Sequence, residues 1–191
     1  MNRRRRLLFA LPLLALGRAA AAAGDETAWG LLAAGGCAVL LRHAQTEPGI
    51  GDPPGFRLDD CSTQRNLSTA GREQARRIGA GFERRRIGVD QVLSSRWCRC
   101  LDTARLAFPR HEVRLFDALD SFFADASTRQ TQTDTLRAWL SRLGSTRRVV
   151  LVTHQVNIAA LTGQSVGMGE ALLVRPGAAG AVEVLARLGA A

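Results

Sequence analysis

Three short apolar segments of this chain each run directly into residues that could do chemistry. Leu40-Leu41-Arg42-His43 and Val149-Val150-Leu151-Val152-Thr153-His154 carry two of the three histidines, and Gln91-Val92-Leu93 leads into Ser94-Ser95-Arg96-Trp97-Cys98-Arg99. An imidazole beside a guanidinium is a nucleophile next to an anion receptor. A strand that stops there delivers both to the carboxyl rim of a sheet, where open α/β folds place their ligands. One histidine at a strand end is ordinarily structural; the argument rests on what accompanies the two.

A rim of that kind needs parallel strands alternating with helices. Read by apolar periodicity, strands fall at 37–43, 91–95, 112–116 and 149–154, with helices at 68–86, 97–107, 131–143 and 155–162. Thr131 with Asp134 three residues on reads as an acidic variant of the capping box. Segments 171–175 and 181–187 read as an antiparallel pair at the sheet edge, turning at Pro176-Gly177. The expected fold is a single doubly wound α/β domain with a mostly parallel sheet flanked by helices. The run 48–60, rich in Gly, Pro and Asp, is expected as a loop over the first strand end and a natural lid or specificity element.

In these motifs the chain resembles the histidine phosphatase superfamily, the phosphoglycerate mutase-like fold, in the manner of its exported bacterial branch. Arg42-His43-Ala44 is similar to the family's R-H-G/A motif, Ser94 to Ala104 to its S-S-x-x-x-R-A/C-x-x-T-A motif, and His154 to its late strand-ending histidine. Asn66-Leu67-Ser68-Thr69-Ala70-Gly71 resembles the L-S/T-x-x-G start of its first helix, so the likeness runs from about Gly36 to Gly163. The resemblance implies phosphomonoester hydrolysis through a phosphohistidine on His43. Arg42 and Arg99 then supply permanently charged planar forks for the phosphoryl oxygens. Their charge holds His43 as neutral imidazole, and His154 donates to the phosphoryl group as charge spreads over it. Asp117, in Leu115-Phe116-Asp117-Ala118-Leu119-Asp120, corresponds to the family's acidic donor to the leaving group, with Asp120 in reserve. Thr46 matches a common hydroxyl position, and Gln155 stands where glycine is usual and is expected to touch phosphate or substrate. Ala44 replaces a glycine, Gly49 an asparagine, and Arg96, expected as a solvated side chain, a proline. No cofactor or metal is implied. A phosphohistidine-based phosphotransferase or mutase, or a silent phosphate-binding domain, are the other readings.

Composition bounds the setting. Arg3 to Arg6, an apolar core from Leu7 to Leu16 and an alanine run to Ala23 form a secretory signal over 1–23, too short for a stable membrane span, with 24–191 as the domain. Arg4-Arg5 also permits a twin-arginine reading, the general secretory route being preferred. Without that segment's five arginines the net charge of +9 falls to +4. With no tyrosine and few aromatics to interleave the arginines, nucleic acid is not an expected partner. The expected location is periplasmic or secreted. The expected partner is a small phosphorylated substrate, with envelope sugar phosphates, such as heptose phosphates of the lipopolysaccharide core, as the class that the exported relatives suggest. In an oxidising compartment a disulfide is expected between Cys61, behind the loop, and Cys98, in the first turn of the helix bearing Arg99. Cys37 and Cys100 are expected as buried thiols, and the alternative is four free thiols. C-x-C spacing does not suit zinc.

Overall fold

Both faces of the central strands are buried, which explains why their sequences read as unbroken apolar runs. The computed structural model describes residues 25–189, so the signal segment and the 1–23 boundary lie outside the described residues. Helix α1 covers 25–34, followed by β1 (Cys37–Arg42), α2 (Thr69–Arg84), β2 (Gln91–Ser94), α3 (Cys98–Ala107), β3 (Val113–Leu115), α4 (Arg129–Leu140), β4 (Arg148–Thr153), α5 (Gln155–Thr162), β5 (Ala171–Pro176) and β6 (Val182–Leu188). The six strands form one sheet in the order β3-β2-β4-β1-β5-β6. The four on one side, β3 to β1, run parallel. The final two add antiparallel strands, and β6 forms the edge. This is the doubly wound α/β domain that the sequence implies.

Alternate residues divide between two apolar layers. Val39, Leu41, Val92, Val150 and Val152 meet α1, α2 and α3 through Leu32, Ile78, Phe82 and Ala104. Leu40, Leu93, Val149 and Leu151 meet α4 and α5 through Leu136, Leu140, Ile158 and Leu161. Burying a leucine of this kind contributes roughly 2 kcal/mol, so the strand ends sit on a rigid base. α2 presents Gly71, Ala75, Ile78 and Phe82 at three- and four-residue intervals to the core. A side chain at Gly71 would overlap the Gln45 carbonyl, so this glycine lets α2 start directly against the segment behind His43.

Besides shifts of one to three residues at element ends, the structure departs from the sequence reading in three places. Helix α1 is absent from it, although Ala28 and Leu32 are fully buried. Helix α4 starts two residues earlier than expected, because Asp125 caps a 3-10 turn that runs straight into it. Asp134 then bonds Gln130 and Arg137 instead of closing a capping box. The β5–β6 connection turns through 177–181, with Pro176 still in the strand and Gly177 donating to the Ala181 carbonyl. No helix of the described residues is long and apolar enough to cross a membrane.

Candidate active site

Strand register builds the centre of the site. Arg42 pairs with Thr153 and Ser94 with Val152, so His43, His154 and Ser95 leave three adjacent parallel strands at one level. The two imidazole centroids are 5.5 Å apart. Thr103 fixes α3 to this edge, accepting from the Ala44 N–H and donating to the Arg99 carbonyl. Arg42, His43, Arg99, His154 and Gln155 all line one cavity of about 480 Å³.

His43 is 3% exposed, and its Nδ1 lies 2.9 Å from the Ala44 carbonyl. A carbonyl only accepts, so Nδ1 carries the proton and the Nε2 lone pair remains for attack. Burial first, then Arg99, Arg42 and Arg65, push its pKa down to about 3, against the opposing pull of the Ala44 carbonyl. His154 is held neutral in the same way, by burial, Arg99 and His43. Its Nε2 is 2.8 Å from Ser95 Oγ, and Ser95 reaches Asp120 Oδ1 at 3.2 Å. Proton bookkeeping orients this chain: Ser95 donates to Asp120 and accepts from His154 Nε2–H and the Trp97 N–H.

Three guanidinium groups define the anion receptor. The Nε–H groups of Arg42, Arg65 and Arg99 are buried and have no hydrogen-bond partner among the described residues, although all three side chains line the cavity. Each is otherwise pinned: Arg42 Nη1 to the Val166 carbonyl, Arg65 Nη1 to the Gly49 carbonyl, and Arg99 to Asp52. Burial, and then Arg65 and Arg99, lower the pKa of Arg42, and burial and Arg99 lower that of Arg65, so the receptor is crowded with positive charge. Unpaired buried donors of this kind cost stability that a bound oxyanion restores.

Asp52 is the carboxylate of the cavity. Its Oδ1 and Oδ2 take Arg99 Nη1 and Nη2 at 2.7 and 3.2 Å, and it also accepts from Trp97 Nε1 at 2.9 Å and from the Arg65 N–H at 3.0 Å. Burial alone would raise its pKa, yet Arg99, the Arg65 N–H and the Trp97 indole together hold it below the usual range. Asp117 does not reach the cavity: its side chain is 76% exposed and lies 3.6 Å from Arg96 Nε. Asp120 is buried, but it faces Ser95 and Arg96, with Arg96 N and Nε at 2.8 and 2.6 Å. Arg96 is therefore the partner of Asp120 and not a solvated bystander. Thr46 is buried with its hydroxyl 3.7 Å from the Met168 sulfur, and does not line the cavity. Gln155 does, and its Oε1 accepts from the Val166 N–H.

The loop over the site is tied to α3 by a disulfide between Cys61 and Cys98, with Cα atoms 5.7 Å apart. Gln64 adds a second tie, accepting from the Cys98 N–H while donating to the Arg57 and Leu58 carbonyls. Cys37 and Cys100 are buried free thiols; burial pushes Cys100 up to about 12, which makes it chemically quiet. Sequence reasoning missed Asp52, Arg65 and the apolar walls of Phe56, Trp97 and Phe123. Arg65 stands just before the recognised Asn66-Leu67-Ser68 motif, a signal that its position alone does not make functional.

The profile of the histidine phosphatase superfamily, branch 1, matches residues 38–123. The fold is similar to that of the protein histidine phosphatase SixA, solved with tungstate, at 13% identity and a TM-score of 0.58 over 80% of this chain and 96% of that one. It is similar to a mycobacterial glucosyl-3-phosphoglycerate phosphatase solved with VO3, at 22% identity and a TM-score of 0.59 over 81% and 99%. The alpha-ribazole phosphatase from Shigella flexneri shares 17% identity, with a TM-score of 0.58 over 81% and 97%. No curated protein matches the sequence.

Proposed function

We propose that this chain, whose residues 38–123 match the histidine phosphatase superfamily model, is a member of that superfamily and hydrolyses small phosphomonoesters through a phosphohistidine on His43. The observation that carries the proposal is the pairing of a neutral, Nδ1-protonated His43 with three arginines whose buried Nε–H groups have no partner among the described residues. A phosphomonoester is an anion, so an uncharged nucleophile inside a cationic receptor attacks it without repulsion. His43 Nε2 bonds to phosphorus as the ester P–O bond breaks. Arg42, Arg65 and Arg99 bind the equatorial oxygens as charge spreads over them. His154, steadied by Ser95 and Asp120, borders the phosphoryl group from the side of the cavity next to His43. Water then attacks phosphorus, the P–N bond breaks, and His43 returns neutral.

The site is proposed to work outside the cytoplasm, a setting that the Cys61–Cys98 disulfide favours. Envelope sugar phosphates are the class to test first, because Phe56, Trp97 and Phe123 offer aromatic faces to a sugar ring beside the receptor. The test is turnover of a phosphomonoester panel by the purified protein, with acid-labile, base-stable phosphate trapped on His43. Activity lost in a folded His43→Ala variant is the expected result. Near-native turnover by that variant would overturn the assignment.

A further inference from the structure

A leaving alkoxide needs a proton, and the two acidic residues that the sequence offers for it are turned away from the cavity. Asp120 is locked between Arg96 and Ser95, and Asp117 faces solvent. Among the residues lining the cavity, Asp52 is the only carboxylate, and it rests on the guanidinium that the phosphoryl group needs. Resting on the hydrolase reading above, we propose that Asp52 is the proton donor to the leaving oxygen, released from Arg99 by the incoming phosphoryl group.

The geometry sets the order of events. Both carboxylate oxygens of Asp52 lie on the Arg99 fork, with Trp97 Nε1 and the Arg65 N–H as further donors. The side chains of Arg99 and Asp52 are 5% and 7% exposed, so water does little to separate their charges. A phosphoryl group that takes the fork leaves a carboxylate and a phosphate sharing one guanidinium. Two anions so placed cannot both stay fully ionised. A phosphomonoester has a second pKa near 6, so the monoanion brings the proton that the pair shares. His43 Nε2 then bonds to phosphorus, the P–O bond breaks, and the Asp52 proton passes to the departing oxygen to give the alcohol. In the second half, Asp52 as carboxylate takes a proton from the attacking water, oxygen bonds to phosphorus and the P–N bond breaks. Asp52 thus holds Arg99 in the free enzyme and serves as acid only with substrate bound.

The test compares wild type and Asp52→Asn on two substrates. p-Nitrophenolate leaves without a proton, whereas the alkoxide of glycerol 2-phosphate does not. Removal of a general acid should lower kcat/KM on the alkyl ester on the order of 10²–10⁴-fold. The loss on p-nitrophenyl phosphate should be smaller by a factor of about ten or more, because only the acid contribution differs between the two. The same variant removes a like charge from the receptor, so inorganic vanadate should bind it at least as tightly as wild type, read by calorimetry on the folded protein. Equal losses on both esters, no loss on either, or weaker vanadate binding would overturn the proposal and leave Asp52 as a support for Arg99. A wild-type protein inactive on both esters would instead overturn the hydrolase reading, before any variant is compared.

Discussion

Replacing His43 by glutamine should make the protein more resistant to acid than the wild type. The native imidazole has its pKa pushed to about 3 by burial and by Arg99, Arg42 and Arg65, against 6.5 for an ordinary histidine. Between those values the unfolded chain binds a proton that the native state refuses. Stability is therefore complete above pH 6.5 and is lost as the pH falls towards 3. At pH 4.5, two units below the unfolded value, one pKa unit being worth 1.36 kcal/mol, the cost is about 3 kcal/mol. Glutamine stays neutral throughout and keeps an N–H that can donate towards the Ala44 carbonyl. Other acid-sensitive groups are present in both proteins and largely cancel; His154 keeps the larger causes of its lowered pKa, burial and Arg99, and loses only the smaller one that His43 supplies. Urea unfolding of both proteins at pH 7.5 and pH 4.5 gives the two stability gaps. The gap should move by about 3 kcal/mol in favour of the variant. A gap that shifts by less than about 1 kcal/mol means that His43 is not held neutral by its surroundings, and the argument for an uncharged nucleophile loses its physical basis.

Arg99→Lys keeps the charge but loses the planar fork and the buried Nε–H, so kcat/KM should fall by about 2–4 kcal/mol in transition-state stabilisation. Arg96→Lys, which keeps a cation beside Asp120, should lose much less; equal losses would mean that the receptor is misassigned. Replacing both Cys61 and Cys98 by serine opens a loop of sequence separation 37 and should lower the unfolding free energy by roughly 3–4 kcal/mol in denaturant; an unchanged midpoint would show that Gln64 and Asp52 hold the loop unaided. Ser95→Ala strips His154 Nε2 and Asp120 of their shared hydroxyl and should lower kcat by roughly tenfold or more with little change in KM, since the loss falls on the phosphoryl-transfer step. A change confined to KM would place Ser95 in substrate binding instead.

What the sequence made legible follows from where each residue sits. His43, His154 and Arg99 stand at the ends of apolar strands or in the first turn of a helix behind one, and apolar period locates such ends. Parallel pairing then brings them to one rim without further information. Helix α1 went unread because it adjoins the alanine-rich signal segment, where composition hides its amphipathic pattern. Asp117 was misplaced for a related reason. The two aspartates flank a single 3-10 turn, and a residue or two of rotation decides which faces inward; no period extends over so short an element.

Asp52 and Arg65 are the harder case. Asp52 meets Arg99 across 47 positions of chain, from a loop with no repeating pattern, and its place depends on the Cys61–Cys98 and Gln64 ties. The contact exists only after the loop has closed, so nothing local in Gly51-Asp52-Pro53 announces it. This division has a functional counterpart. The groups that we assign to attack and to receive phosphate stand at strand ends, as His43, Arg42 and His154 do, or in the first turn of the helix behind one, as Arg99 does, with Arg65 added from the loop. The group that we assign to the leaving oxygen, and the walls at Phe56 and Phe123 that meet the rest of the substrate, hang on loops. The reaction class that we propose therefore rests mainly on strand ends, whereas the choice of alcohol that we propose rests on a loop whose shape only the folded protein displays.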